Sequence, residues 1–390
     1  MKNYKMNFIE LQVTLSFCIV FLLRMIGIFS VLPIVSKYGL NLNNSNKFLI
    51  GLSIGIYAIT QMIFQIPFGI LSDRFSRKKI LIFGLLLFFI GSLICISTHS
   101  IWSLIIGRAV QGSGAISGVS MALLSDLIRK ENRVKSISAI GASFAISFLI
   151  AFVSAPLIAD TFSFFSIFWI SSILSIFCIL VVVFFIPCSK NKLASYEKNI
   201  RQHAIQFLFN KIFFRFYFGV FFLHFLLTMT FLIIPNELEL SGLSLNSHWI
   251  VYFITIILSF LILFLFVFYF KIYFFVKNAI EICIFFIFLS FLIFLLSQHN
   301  LIALIFFLQI FFIAFNMLEI FLPSNLSQTI SIKNYKGSIM SIYSTSQFLG
   351  IAFGGILNGF LSSFLSTTKI VLFDIFVTLT WLMLSFFCKK

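Results

Sequence analysis

Four side chains able to carry a charge interrupt long apolar runs: Arg24, Arg108, His224 and Glu319. An arginine at the centre of a membrane helix costs roughly 2.5–3.5 kcal/mol on insertion scales, so each such group should face a partner or a water-filled path. Glu319 is the residue best suited to carry a coupling proton, because a carboxyl removed from water can hold and release a proton near neutral pH. A structural ion pair or a helix-end contact is the plain alternative. His224 could titrate in its place, or be a core histidine satisfied by its neighbours. Arg24 would hold a buried acid or an anionic solute. Arg108 and Gln111 stand three apart and share a helix face. Asn316 precedes Glu319 by three, and Tyr343 with Gln347, like Gln61 with Gln65, is spaced by four, so each pair looks to one side of a helix. With Gln309, these polar groups form a candidate cavity whose chemistry is binding and proton movement.

Membrane helices must position them. The chain has 390 residues, 61% of them apolar and 10% charged; soluble domains run near 45–50% and 25%, so a soluble globular protein is excluded. A spanning helix needs about 20 apolar residues. Apolar runs at 11–36, 47–71, 80–98, 101–125, 136–159, 165–187, 213–236, 249–270, 279–297, 301–326, 337–361 and 370–388 predict twelve spans. The fold class expected is an all-α polytopic membrane protein. The short N-terminus runs straight into a full-length span, so no cleavable signal peptide is expected.

The charges orient these spans. Of 27 Lys and Arg residues, only Lys37, Lys47 and Lys369 fall on one face, Arg24 and Arg108 lie inside spans, and the rest fall on the other face. The positive-inside rule places that basic face, with both termini, in the cytoplasm. The net charge of +16 therefore fixes topology and attracts anionic lipid heads; it is not a surface for nucleic acid. The basic stretch 188–211 separates two six-span halves, 1–187 and 212–390, expected to be two bundles with a substrate path between them. The 58 phenylalanines reflect a coding bias that lipid-facing positions tolerate, so none is singled out. The six cysteines show no C-x-x-C spacing, which supports neither a disulfide framework nor a zinc site.

Residues 69–81, between spans two and three, read Gly-Ile-Leu-Ser-Asp-Arg-Phe-Ser-Arg-Lys-Lys-Ile-Leu. This resembles the loop signature of the major facilitator superfamily, G-x-x-x-D-R-x-G-R-R/K, at Gly69, Asp73, Arg74, Arg77 and Lys78, with Ser76 in place of the second glycine. The resemblance implies two pseudo-symmetric six-helix bundles and a conformational switch. Asp73 would approach the N-terminus of span eleven near Gly337, where unpaired N–H groups favour an anion, and Arg77 would pair with Asp126. Arg108-Ala-Val-Gln-Gly resembles the family's R-x-x-Q-G motif, whose arginine is implicated in proton transfer; a structural arginine bonded to carbonyls is the alternative. Gly112, Gly114 and Gly118 permit close packing. Residues 23–33, 54–61, 122–127 and 342–350 resemble bacterial YajR-type transporters, on the drug:proton antiporter side of the superfamily. Relatives there carry a glycine-rich pattern in span five; here Pro156 is kept, but Ala151 and Ala155 replace glycines.

These readings predict a secondary active transporter of the bacterial inner membrane. It would move a small organic solute by alternating access, as a monomer among membrane lipids, with efflux against protons favoured by resemblance. Uptake or facilitated release of a metabolite without strict proton coupling is the alternative. A polytopic membrane enzyme is remote, since Glu237, Glu239 and His248 form no catalytic pattern. No cofactor or metal is expected, and the absence of G-x-x-x-x-G-K-S/T argues against direct use of ATP.

Overall fold

The computed structural model describes residues 5–97, 99–129, 131–188, 211–269, 278–296, 299–329 and 336–387; the side chains at 73, 134, 211–212, 267–269, 327–328 and 336–338 lie outside that description. Among the described residues there are helices and no strands, apart from one isolated bridge between Asn43 and Ser100. In chain order the helices are α1 (Phe8–Phe29), α2 (Leu32–Tyr38), α3 (Lys47–Arg74), α4 (Arg77–Ser97), α5 (Ile101–Ser113), α6 (Ser117–Leu127), α7 (Arg133–Thr161) and α8 (Ser166–Phe185). They continue as α9 (Lys211–Leu240), α10 (His248–Tyr269), α11 (Ala279–Leu296), α12 (Leu301–Thr329), α13 (Lys336–Phe364) and α14 (Thr367–Phe387). Eleven helical segments among the described residues are long and apolar enough to cross a membrane. The fourth expected span, 101–125, is not one of them, because it is two helices.

The reason lies at Gly114. Its φ of −72° and ψ of 56° end α5 in an inverse γ-turn. Ala115 N–H donates to the Ser113 carbonyl and Ile116 N–H to that of Gly114, both at 2.9 Å. A Cβ on Gly114 would lie 2.3 Å from the Gly84 carbonyl oxygen, so only glycine lets the turn press against α4. Gly118, expected to share this packing, does not: a Cβ there would meet only Gln65, at 3.7 Å.

The chain forms two compact units, residues 1–45 with 56–196 and residues 46–55 with 197–390. In the first, α1 packs against α7 and α8, and α4 packs against α5 and α8. Val13, Phe17, Phe21, Leu85, Ile116 and Leu123 are buried among these helices. The start of α1 is set by a capping box, in which Asn7 accepts from the Glu10 N–H at 3.0 Å and Glu10 accepts from the Asn7 N–H at 3.1 Å. Glu10 also accepts from Arg129 Nε and Nη2, both at 2.8 Å, and from Asn132 at 2.9 Å, so one carboxylate ties α1 to the α6–α7 turn. The α3–α4 turn needs no glycine at Ser76: only Phe75 and Ser76 separate the helices, and the Ser76 carbonyl accepts from Ile80 N–H at 3.1 Å.

In the second unit α9 and α13 are the most intimately packed helices, α11 lies against α12 and α14, and α10 lies against α12. Gly350 and Gly354 make the first of these contacts possible: Cβ atoms there would sit 2.2 Å from the Phe221 carbonyl oxygen and 2.7 Å from that of Phe225. Residues 46–55 join this unit through Gly51, where a Cβ would lie 2.2 Å from the Gly355 carbonyl oxygen. Phenylalanine fills the interior, as in the Phe291–Phe307 and Phe307–Phe311 ring contacts at 5.5 and 5.9 Å, and also lines the outside, where Phe253, Phe264 and Phe376 are exposed.

Two substitutions test this packing. Gly350→Ala forces backbone against backbone and should destabilise by about 1–3 kcal/mol, seen as a lowered unfolding midpoint of the detergent-solubilised protein. Glu10→Ala removes one half of the capping box and strands the buried Asn132 amide, and should cost about 1–3 kcal/mol by the same measurement.

Candidate functional site

In the first unit the polar interior is built around two arginines. Arg24, on α1 and 2% exposed, donates from Nη2 to the Gly114 carbonyl at 2.7 Å and to Gln61 Oε1 on α3 at 3.2 Å. The Gly114 carbonyl thus accepts twice, from Ile116 N–H within the turn and from Arg24 across the helices. Its guanidinium also sits 5.6 Å from the centre of the Phe88 ring. Arg108, on α5 and 3% exposed, donates to Gln111 Oε1 at 3.0 Å, and Gln111 donates to Ser92 on α4 at 2.8 Å. The Arg108 guanidinium lies 4.3 Å over the ring of Tyr57 on α3, an aromatic face that partly substitutes for an anion. Nε and Nη1 of Arg24 and Nε of Arg108 are buried without a hydrogen-bond partner.

The loop signature is partly described. Arg77 Nη1 lies 2.8 Å from Asp126 Oδ1 and donates to the Ala122 carbonyl at 2.9 Å, joining the start of α4 to the end of α6. Lys78 donates to the carbonyls of Val183 and Ile186 at 2.8 and 2.7 Å, a cation at the C-terminal end of α8 where the helix dipole favours it. Arg74 is exposed, and nothing lies within 4 Å of a Cβ placed on Gly69. The side chain of Asp73 and residue Gly337 fall outside the described side chains, so the expected latch between them lies outside the described residues.

In the second unit His224 on α9, Glu319 on α12 and Gln347 on α13 converge. His224 Nδ1 lies 3.1 Å from the Val220 carbonyl one turn earlier on its own helix, which assigns the ring proton to Nδ1. That leaves Nε2 with two neighbours: Gln347 Nε2 at 2.6 Å and Glu319 Oε1 at 3.1 Å. The carboxylate is at ion-pair distance but off the hydrogen-bond line, and 35% of the Glu319 side chain is exposed although Oε1 is covered. Tyr343, one turn before Gln347, has a buried hydroxyl without a partner. Asn316 does not join Glu319; it donates to Ser259 on α10 at 2.8 Å. Gln309 Nε2 is buried without a partner.

Several buried acids escape the list of four membrane-depth charges. Asp374, on α14, is fully buried, with both carboxyl oxygens unpartnered beside Thr230, whose hydroxyl is likewise unpartnered. It stands only four residues after the predicted start of its span, where an acid reads as a helix-end residue. Glu281, on α11, is held by Arg215 on α9 and accepts from Ser385 on α14 at 3.3 Å. Glu10 was legible, since Asn7-x-x-Glu10 has capping-box spacing. Among the described residues no group of His, Cys, Asp and Glu could hold a metal ion.

The profile of the Major Facilitator Superfamily matches residues 14–355. Inner membrane transport protein YajR of Escherichia coli is 38% identical over 383 residues, covering 98% of this chain and 84% of that protein. An "Uncharacterized transporter" of Buchnera aphidicola subsp. Schizaphis graminum is 75% identical over 391 residues, the full length of both. The crystal structure of the nucleoside transporter NupG superposes with a TM-score of 0.76 at 16% identity, covering 98% of this chain and all of that one. A D-xylose-proton symporter superposes at 0.74 and 15% identity, covering 97% of each chain. The chain is a multi-pass membrane transporter and belongs to the major facilitator superfamily.

Proposed function

We propose that this transporter exchanges a small organic solute for protons by alternating access across the bacterial inner membrane, in the direction of efflux. The observation that carries the coupling is His224 Nε2, set between an amide at 2.6 Å and a carboxylate at 3.1 Å. With Nδ1–H donating to the Val220 carbonyl, a neutral ring offers its Nε2 lone pair to the Gln347 amide. A proton arriving at Nε2 ends that bond and turns the new N–H toward Glu319, and Gln347 then presents its carbonyl oxygen instead. The pair holds one proton when loaded and leaves a bare carboxylate when empty. Loading therefore changes both the local charge and the link between α9 and α13, which is what a two-state carrier needs from its coupling ion. The distribution of Lys and Arg supports an inner-membrane orientation with cytoplasmic termini.

Uptake or facilitated release without strict coupling is a second reading, favoured by one observation. Ala151 and Ala155, fully buried in α7, stand where the antiporter pattern has glycine.

Proteoliposomes with an imposed pH gradient separate the two, using a panel of metabolites and lipophilic dyes and a trapped pH indicator. The native chain should move solute with the gradient and release protons in exchange. Glu319→Gln should lose the gradient-driven component and its pH dependence at unchanged protein abundance. Solute movement that ignores the gradient in the native chain, or an unaltered pH dependence in Glu319→Gln, contradicts the coupling.

A further inference from the structure

The interior of the first unit carries two guanidinium groups and no described carboxylate to balance them. Its acids are accounted for elsewhere: Glu10 is bound by Arg129, Asp126 lies against Arg77, and Glu131 and Asp160 are exposed. The remaining one, Asp73, is twelve residues beyond Gln61 on α3, about 18 Å along the helix axis. Carbonyl and ring contacts use part of each arginine, yet three guanidinium nitrogens stay buried and unpartnered. A buried cation left in this state is strongly unfavourable unless a further partner arrives. Tyr57 and Gln61 stand one turn apart on α3, and each touches one of the two arginines, so the two groups border one region.

We infer that Arg24 and Arg108 hold the anionic end of the transported solute, which carries a carboxylate or phosphate group. The inference rests on the transport reading above and adds the charge class of the cargo. An oxyanion accepts hydrogen bonds from the free N–H groups and supplies the missing negative charge, and charge-assisted bonds of this kind are the strong ones. Gln111 and Gln61 hold the two guanidinium groups in place from the side.

Equilibrium binding tests this on the full chain in lipid nanodiscs, read as the thermal unfolding midpoint at constant ionic strength. The probes are benzoate, succinate and inorganic phosphate, against benzamide, succinamide and chloride. A saturable rise with carboxylates, with phosphate or with both, absent with the neutral amides, is expected in the native chain. The two arms tell a carboxylate cargo from a phosphate one. The rise should be lost in Arg24→Gln and in Arg108→Gln, and kept in Arg129→Gln, which removes a cation at the far end of α1. Equal responses to each oxyanion and its amide in the native chain overturn the inference, and that arm needs no variant to fold. A response surviving in the Arg24→Gln/Arg108→Gln double variant overturns it as well. Binding requires no gradient, so a chain that binds oxyanions yet shows no proton exchange refutes the coupling alone.

Discussion

Hydrocarbon cannot solvate a charge or a free peptide group, and this constraint organises the chain from its helix ends to its interior. Backbone groups meet it by staying helical; side-chain charges meet it only by finding partners. The basic residues at the ends of helices show the simple solution. Lys78 occupies the open carbonyls that end α8, Arg129 closes over Glu10, and Arg77 reaches Asp126. Each of these pairs also joins two helices, so satisfying a charge and fixing the packing are one act.

Deeper in the structure the solutions become specific. Arg24 makes its shortest contact, 2.7 Å, with the carbonyl of Gly114 at the break in the fourth span. The turn presents that carbonyl to both Ile116 N–H and the guanidinium, and the missing Cβ lets the broken segment lie against α4. The turn costs helical hydrogen bonds, and the buried guanidinium shares an acceptor that the turn places beside it. The close approach of α9 and α13 is also coupled to chemistry, because it brings Gln347 within 2.6 Å of His224.

Much of this was legible in the residues. Apolar run length predicted the spans other than the fourth, and the charges of Arg24, Arg108, His224 and Glu319 flagged interior positions because hydrocarbon makes such residues rare. What local spacing could not supply was partner choice. Asn316 and Glu319 share much of one helix face, yet the first meets Ser259 and the second His224, because a small angular offset selects a different neighbouring helix. The break at Gly114 was hidden for a related reason: its glycines suit close packing and helix interruption equally, and only the position of Gly84 on α4 decides. Asp374 stands near the end of an apolar run, which in sequence reads as a helix end, yet it is fully buried and lines one small cavity with Phe291, Phe294 and Phe307 from other helices.

The candidate sites of the two units carry different kinds of charge. The first keeps cations that cannot titrate, since a guanidinium stays protonated under any physiological condition, and surrounds them with neutral acceptors and aromatic faces. The second brings together an imidazole and a carboxyl, groups that gain and lose protons, while its Arg215 is paired with Glu281. A permanent charge suits holding a counter-charge and is poorly suited to signalling a change of state, whereas a titratable pair suits the reverse. On the proposed reading, cargo and proton need not share one residue: fixed arginines would hold the solute while His224 and Glu319 would exchange the proton. Exchange coupling then requires only that each occupancy favour a different one of the carrier's two states.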